Sequence, residues 1–413
     1  MGAPAARAAE LARHWTEDGH EVTVLTGFPN HPTGVVPPEY RQKMRRLVCS
    51  EDLNGIRVVR SWLWPLPNRK AHERVLNYSS FCLSAVGTGM CLPRPDVVIA
   101  TSPQLLVGLA GYWIARIKRT PFVFEVRDLW PESLVAVGMG HKDSVMNRSL
   151  GAIAGFLYRR ANHIVVVTPA FREHLVERWR VQAEKISVVE NGVETELFSP
   201  AANGTQVREE MRLQDKFVVG YIGTLGMAHG LETLIEAAAE TQRVAPGVSF
   251  LVVGEGAEKA RLAALAETKH LGNVLFVDQQ ERAKIPEFIR ACDVCLVLLR
   301  KSDLFKTVIP TKMLEFMSCG RPVVLGVEGQ ARHIIEQARA GICIEPQNAA
   351  ELVTAILRLR DSSVLREQFG RNGRNHIRAH YSRRQTAKTY ISVLEDICSP
   401  QAVLEEQPSV EVA

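Results

Sequence analysis

The 413-residue chain contains no apolar run approaching the ~18 residues that a membrane-spanning helix needs. Its start, MGAPAARAAELARHW, lacks the unbroken apolar core of a secretory signal, so a cytoplasmic location is expected. Cysteine is scattered: of eight, Cys292 and Cys295 stand together in ACDVCLVLL, which reads as a buried strand. No second Cys or His pair follows at zinc spacing, which argues against a metal or redox use and fits a reducing compartment. Helix-turn-helix, zinc-finger and aromatic RNA-binding signatures are also missing, so the net charge of +5 does not point to nucleic acid.

What is present is ordinary globular composition, 46% hydrophobic and 23% charged, at a length that suits two domains of roughly 200 residues each. Short β-branched runs alternate with helical segments: HEVTVLTG, IRVVRSW, DVVIATS, PFVFEV, HIVVVTP and ISVVENG first. After the polar stretch FSPAANGTQVREEMRLQD come KFVVGYIG, VSFLVVGEG, NVLFVD, CDVCLVLL, RPVVLG and GICIEP. Strands separated by helices predict parallel sheets covered on both faces, hence an α/β chain of two such domains. The expected division is residues 1–195, residues 196–380, a C-terminal helix over 381–397 and a disordered tail over 398–413. Ligands of such sheets bind outside the carboxyl ends of the strands, so function is sought in strand-to-helix turns.

One of these turns, GYIGTLGMAHGLETLIEA, offers Gly223, Thr224, Gly226, His229 and Gly230 before an amphipathic helix. Glycines let backbone approach a phosphate, and free N–H groups at the helix start hold an anion, although tight turns also use glycine for structure alone. VVGEGAEK carries half of a dinucleotide fingerprint but puts Lys259 where a third glycine belongs, which argues against a nicotinamide cofactor. In IPTKMLEFMSCGRPVV, Thr311 is the expected N-cap and Gly320 the stop of a two-turn helix, with Met313, Phe316 and Met317 on its buried face. Lys312 and Glu315 share the other edge. A lysine at the positive end of a helix dipole is either a solvated cation or a sign of a nearby anion. With a carboxylate one turn on, the pair suits a pyrophosphate and a ribose.

Basic stretches RQKMRR (41–46) and PNRKAHER (67–74) flank Trp62 and Trp64 and read either as a solvated face or as an anionic membrane contact. The following NYSSFCLSAVGTGMCL (77–92) is either a lipid-touching segment or a buried helix.

IPTKMLEFMSCGRPVV resembles the donor-nucleotide motif of family 4 retaining glycosyltransferases, which have the GT-B fold of two facing Rossmann-like domains. RDLWPES (127–133) and the opening stretch to Gly34 resemble the branch that adds amino sugars, N-acetyl-L-fucosamine type, in bacterial surface-polysaccharide assembly. The likeness runs from Gly2 to about residue 395. It implies transfer of an N-acetylated amino sugar from a UDP donor to a polyprenyl-diphosphate-linked acceptor of O-antigen or capsule type, at the inner membrane face. It assigns the ribose to Glu315 and the pyrophosphate to Lys312 assisted by Arg282, with Gly2, Gly223, Thr224, Gly226, His229 and Thr311 lining the donor site. Asp128 and Glu132 would orient acceptor or donor sugar and Arg127 hold a phosphate, a helix cap being the other reading of Asp128. Asn191 is expected to be a structural turn residue.

The chain departs from the pattern in three places. Thr307 stands where relatives carry a first glutamate, and Thr224 and His229 stand where they carry Arg and Lys. The loop GAPAAR opens the chain where relatives place it after a first strand, so a strand in the middle of the first domain's sheet is expected to be missing. Asp-x-Asp, through which many other sugar transferases hold a divalent ion, does not occur, so no metal or cofactor is expected and the nucleotide sugar is a substrate. Two other readings stay open: a UDP-sugar 2-epimerase of the same architecture, and a non-catalytic scaffold in a polysaccharide assembly complex.

Overall fold

The computed structural model describes residues 3–30, 34–67, 71–136 and 144–399; the expected Gly2 contact and the tail from residue 400 lie outside them. The chain forms two compact units. One holds Ala8–Glu190 and the chain from Ala387; the other holds Asn191–Thr386 and the residues up to Arg7. Contacts across long sequence separations explain why both ends change sides. Buried Arg7 donates to Asn191 Oδ1 at 3.1 Å within one unit, and Trp15 Nε1 donates to the Ala387 carbonyl at 3.0 Å within the other. Asn191 is thus a buried partner of Arg7, and the neighbouring Val193 exchanges backbone hydrogen bonds with Tyr381 and Arg383.

The Ala8–Glu190 unit carries strands β1 Thr23–Gly27, β2 Val48–Leu53, β3 Ile56–Ser61, β4 Val98–Thr101, β5 Phe122–Val126, β6 His163–Val166 and β7 Ile186–Val188. They form two sheets: β1-β3-β2 and the all-parallel β4-β5-β6-β7. β1 pairs with β3 in parallel, but β2 pairs antiparallel with β3, which corrects the expectation of purely parallel sheets. The cause is Asn54–Gly55, both at positive φ, the two-residue turn that joins antiparallel neighbours. β1 is half-exposed along most of its length, whereas every residue of β5 is buried.

The Asn191–Thr386 unit holds one parallel sheet of six strands: β8 Phe217–Ile222, β9 Val248–Val253, β10 Val274–Val277, β11 Val294–Leu298, β12 Val323–Gly326 and β13 Gly341–Cys343. Their order is β10-β9-β8-β11-β12-β13. Helices cover both faces, which is why β9 and β11 are buried end to end and read as unbroken apolar runs. The chain reverses direction across the sheet between β8 and β11, and a doubly wound sheet opens its ligand crevice at such a point. Cys295 lies in β11; Cys292 is buried but precedes the strand, ending the helix Ile285–Ala291.

Beyond β8 the backbone stays tied to its neighbour: Gly223 N–H donates to the Val253 carbonyl and Leu225 N–H to that of Glu255, both at 2.9 Å. This close approach explains the glycines of VVGEG without a cofactor. A Cβ on Gly254, which has φ +147°, would stand 2.0 Å from the Gly223 carbonyl oxygen. Gly254→Ala is therefore expected to lose about 2–4 kcal/mol of stability in urea unfolding. Gly247→Ala, which enters open space, should stay within about 0.5 kcal/mol of the parent. Equal midpoints for the two variants would show that the glycine contact is not under constraint.

Candidate functional site

The turn after β8 and the helix Thr311–Ser318 meet around Tyr221. The helix forms because Met313, Leu314, Phe316 and Met317 bury one side, and it stops at Gly320, whose φ of +68° suits glycine. Its N-cap is Pro310, with φ −64° and ψ 121°; Thr311 is the first helical residue and caps nothing, a one-residue correction to the expected start. The Pro310 ring already sets the extended conformation that a cap position requires, which leaves Thr311 free to enter the helix.

Lys312 does not point to bulk water. Its Nζ donates to the Tyr221 hydroxyl at 2.8 Å and lies 4.2 Å from the centre of that ring. Burial pushes the ammonium down to about 7, opposed by the charge of Glu315. Tyr221 is fully buried and in turn donates to the Thr224 carbonyl at 2.8 Å. Gly223, at φ +150°, leaves room for the cation, since a Cβ there would approach Nζ to 3.2 Å. Sequence reasoning missed Tyr221; the available signal was a tyrosine inside an apolar strand, whose hydroxyl must find partners when buried.

His229 follows on the same turn, its ring edge-on to Tyr221 with centroids 6.1 Å apart. Burial, reinforced by the charge of Lys312, pushes it down to about 3, so it is neutral near pH 7. Its Nδ1 faces the Gly226 carbonyl at 3.2 Å; a carbonyl only accepts, so Nδ1 carries the proton. With Nδ1 protonated, Nε2 of the neutral ring is an acceptor; His229 lies in the turn where the sequence places a donor-site contact. Gly226 is extended, with φ −112°, and Thr224 is exposed.

Glu315, one turn beyond Lys312, accepts from Arg282 Nη1 at 3.0 Å, and the guanidinium lies over the Phe198 ring. Arg282, expected to assist Lys312 at the pyrophosphate, pairs here with the Glu315 carboxylate. Thr307, at the position of the missing glutamate, donates to the Leu304 carbonyl at 2.6 Å.

Arg127, Asp128 and Glu132 lie in the other unit, in the turn after β5. Ser102 Oγ receives the backbone N–H of Arg127 at 2.8 Å. Asp128 accepts from Trp130 Nε1 at 3.2 Å and from the Ser133 hydroxyl, so its side chain closes the turn. Burial raises its pKa against those hydrogen bonds. Glu132 opens the helix Glu132–Ala136 and pairs with Arg178 at 3.0 Å and His174 at 3.5 Å. Burial acts to raise its pKa, but His174, a backbone N–H and Arg178 together hold it below the usual carboxylate range. The expected residues therefore form two clusters, one in each unit. Among the described residues no three His, Cys, Asp or Glu side chains stand together as a metal would require.

The family described as glycosyl transferase 4-like domain matches residues 2–192, and that described as glycosyl transferases group 1 matches residues 205–376. The provisionally named colanic acid biosynthesis glycosyl transferase WcaI of Escherichia coli K12 is 25% identical over 374 residues, 87% of this chain and 89% of that relative. The structure of sucrose-phosphate synthase from Thermosynechococcus elongatus matches with a TM-score of 0.76 at 20% identity, covering 96% of this chain and 94% of that one. Anabaena Alr3699/HepE in complex with UDP-glucose matches with a TM-score of 0.69 at 18% identity, covering 91% and 100%.

A buried ammonium costs stability. The folded-state pKa of Lys312 is depressed to about 7, so the unfolded chain holds this proton more tightly and the group's contribution to stability improves as pH rises from about 7 to about 10. Lys312→Met should therefore unfold about 1–3 kcal/mol later than the parent at pH 7, with the gap closing toward pH 10. A variant no more stable than the parent at pH 7 would mean that water reaches the ammonium.

Proposed function

Because the chain belongs to the GT-B glycosyltransferases, with a 4-like domain followed by a group 1 domain, we propose that it moves a sugar from a UDP donor onto a lipid-linked saccharide in polysaccharide assembly, with an N-acetylated amino sugar as the transferred group. The observation that carries this reading is the Lys312 ammonium held beside the turn after β8, at the sheet's reversal point, with Glu315 one helical turn away. Solved structures similar to this one contain UDP, and the Escherichia coli relative is named for colanic acid biosynthesis, which supports the donor and the pathway class.

In the proposed mechanism the sugar ring gains positive charge as the bond to the diphosphate breaks, and negative charge grows on the leaving phosphate. Lys312 meets that charge from a site of low polarity, where a fixed cation counts for more than in water. Glu315 accepts the ribose hydroxyls, with Arg282 orienting it. Transfer proceeds with retention and without a metal. Asp128 and Glu132 orient acceptor or donor sugar, and Arg127 holds a phosphate. Screening nucleotide sugars by thermal shift should give roughly 5 °C for UDP-linked amino sugars at a hundredfold excess over Kd, and none in Glu315→Ala. Equal shifts in both proteins would remove Glu315 from the nucleotide. Turnover unchanged by EDTA supports metal independence, and conversion of UDP-GlcNAc without acceptor would instead establish an epimerase.

The lipid-linked acceptor is supported by an apolar face on the Ala8–Glu190 unit. Among the described residues no helix is long and apolar enough to cross a membrane. All but the last residue of the segment 77–92 lies on the helix Ala71–Cys91, where Leu76, Leu83 and Met90 recur at seven-residue spacing and are exposed, Leu83 by 76%. The helix Leu105–Lys118 packs beside it, with Ile114 against Gly89 and Lys118 Nζ on the Met90 carbonyl, and adds exposed Trp113 and Ile117. Exposed Arg94, Arg116 and Arg119 complete a tryptophan-bearing basic rim suited to anionic lipid. By contrast, the RQKMRR stretch lies partly over Glu51, through Lys43. The protein should float with phosphatidylglycerol vesicles, and Leu83→Glu with Trp113→Glu should leave it at the bottom of the gradient with UDP binding intact. Flotation of that double variant at the parent level would move lipid contact elsewhere.

A further inference from the structure

The hydroxyl of Tyr221 does two tasks with one oxygen. It gives its only proton to the Thr224 carbonyl at 2.8 Å, and its lone pair receives Lys312 Nζ at 2.8 Å. The ring below the cation is rigid because it is fully buried in β8, and His229 presses edge-on against it. On the other side Gly223 has no side chain to push the ammonium away. A lysine on four rotatable carbons is thus fastened to the backbone of the turn itself, at the residue between Gly223 and Leu225. We propose that Tyr221 is a positioning residue for the nucleotide diphosphate: it registers the Lys312 charge to the glycine turn so that the two act on the terminal phosphate as one preformed unit.

This rests on the reading of Lys312 given above and adds a residue that the chemistry would not otherwise require. A phenol is a neutral acceptor, so it holds the ammonium in place without cancelling its charge, as a carboxylate in the same place would. The groups facing Nζ are Tyr221 and His229 from the β8 side and Glu315 from its own helix, with Arg282 paired to Glu315. His229 is neutral and Glu315 is engaged, so the phenol is the group that fixes where the cation stands.

The test uses the dissociation constants of UDP and UMP, whose ratio reads the contribution of the terminal phosphate. Tyr221→Phe keeps the ring and removes one atom. It should weaken UDP about fivefold to tenfold while changing UMP less than twofold, and should lower the pH at which UDP affinity falls off. Lys312→Gln should abolish the preference for UDP over UMP, and adding Tyr221→Phe to it should have no further effect. If Lys312→Gln weakens UDP but Tyr221→Phe leaves UDP affinity and its pH profile unchanged, or if the two losses multiply independently, the positioning role is overturned while Lys312 keeps its place. If Lys312→Gln binds UDP as tightly as the parent, both fall together. Site-specific 3-fluorotyrosine at position 221 preserves shape and weakens the oxygen as acceptor, so it gives the same readout should the phenylalanine variant not fold; an unchanged UDP affinity there also overturns the proposal.

Discussion

A half-buried lysine at the positive end of a helix is the constraint on which the ligand-facing end of the Asn191–Thr386 sheet depends. Two physical terms oppose it, the loss of solvation and the helix dipole, and what the fold supplies in return is one phenol oxygen, an aromatic face and a carboxylate one turn along. None of these neutralises Lys312 by direct contact in the way Arg282 meets Glu315. Lys312 is therefore poorly compensated in the folded chain, which is the ground on which it is proposed to meet a phosphate.

The parallel sheet makes this arrangement affordable. With β8 and β11 as neighbours at the reversal point, the turn after β8 and the helix that follows the β11 region come to the same end of the sheet. The apolar helix face of Met313, Leu314, Phe316 and Met317 is wholly buried, and at roughly 1.5–3 kcal/mol per large side chain such burial outweighs one poorly solvated ammonium. In the Ala8–Glu190 unit a group of opposite charge is treated differently: burial raises the pKa of Asp128, and an indole, a hydroxyl and a backbone amide that donate to it oppose the rise.

Much of this was legible in the sequence. Strands buried on both faces, β9 and β11 above all, appear as apolar runs, and short β-branched runs mark the half-buried edge strands β10 and β13 as well; the periodicity of MLEFMS located the buried face of the helix Thr311–Ser318. The antiparallel β2 carries no apolar run, since VCSEDL is polar and largely exposed, and only Asn54–Gly55 marks the hairpin. The polar wiring was not legible. The tautomer of His229 depends on which carbonyl its Nδ1 meets, the partner of Glu315 lies thirty-three positions away at Arg282, and Tyr221 looks like any strand aromatic until Lys312 is folded onto it. Such pairings are set by tertiary geometry, to which local pattern carries no pointer.

Gly254 and Gly256 bring two loops into backbone contact, a Cβ on the second standing 2.2 Å from the Leu225 carbonyl. Where main chain touches main chain, amino-acid exchange has little to work with: the shape of the turn is inherited as a block. Under the proposed function, substitutions that change the accepted sugar would fall on outward-facing positions around the rigid turn, exposed Thr224 among them, and leave the path of its backbone as it is.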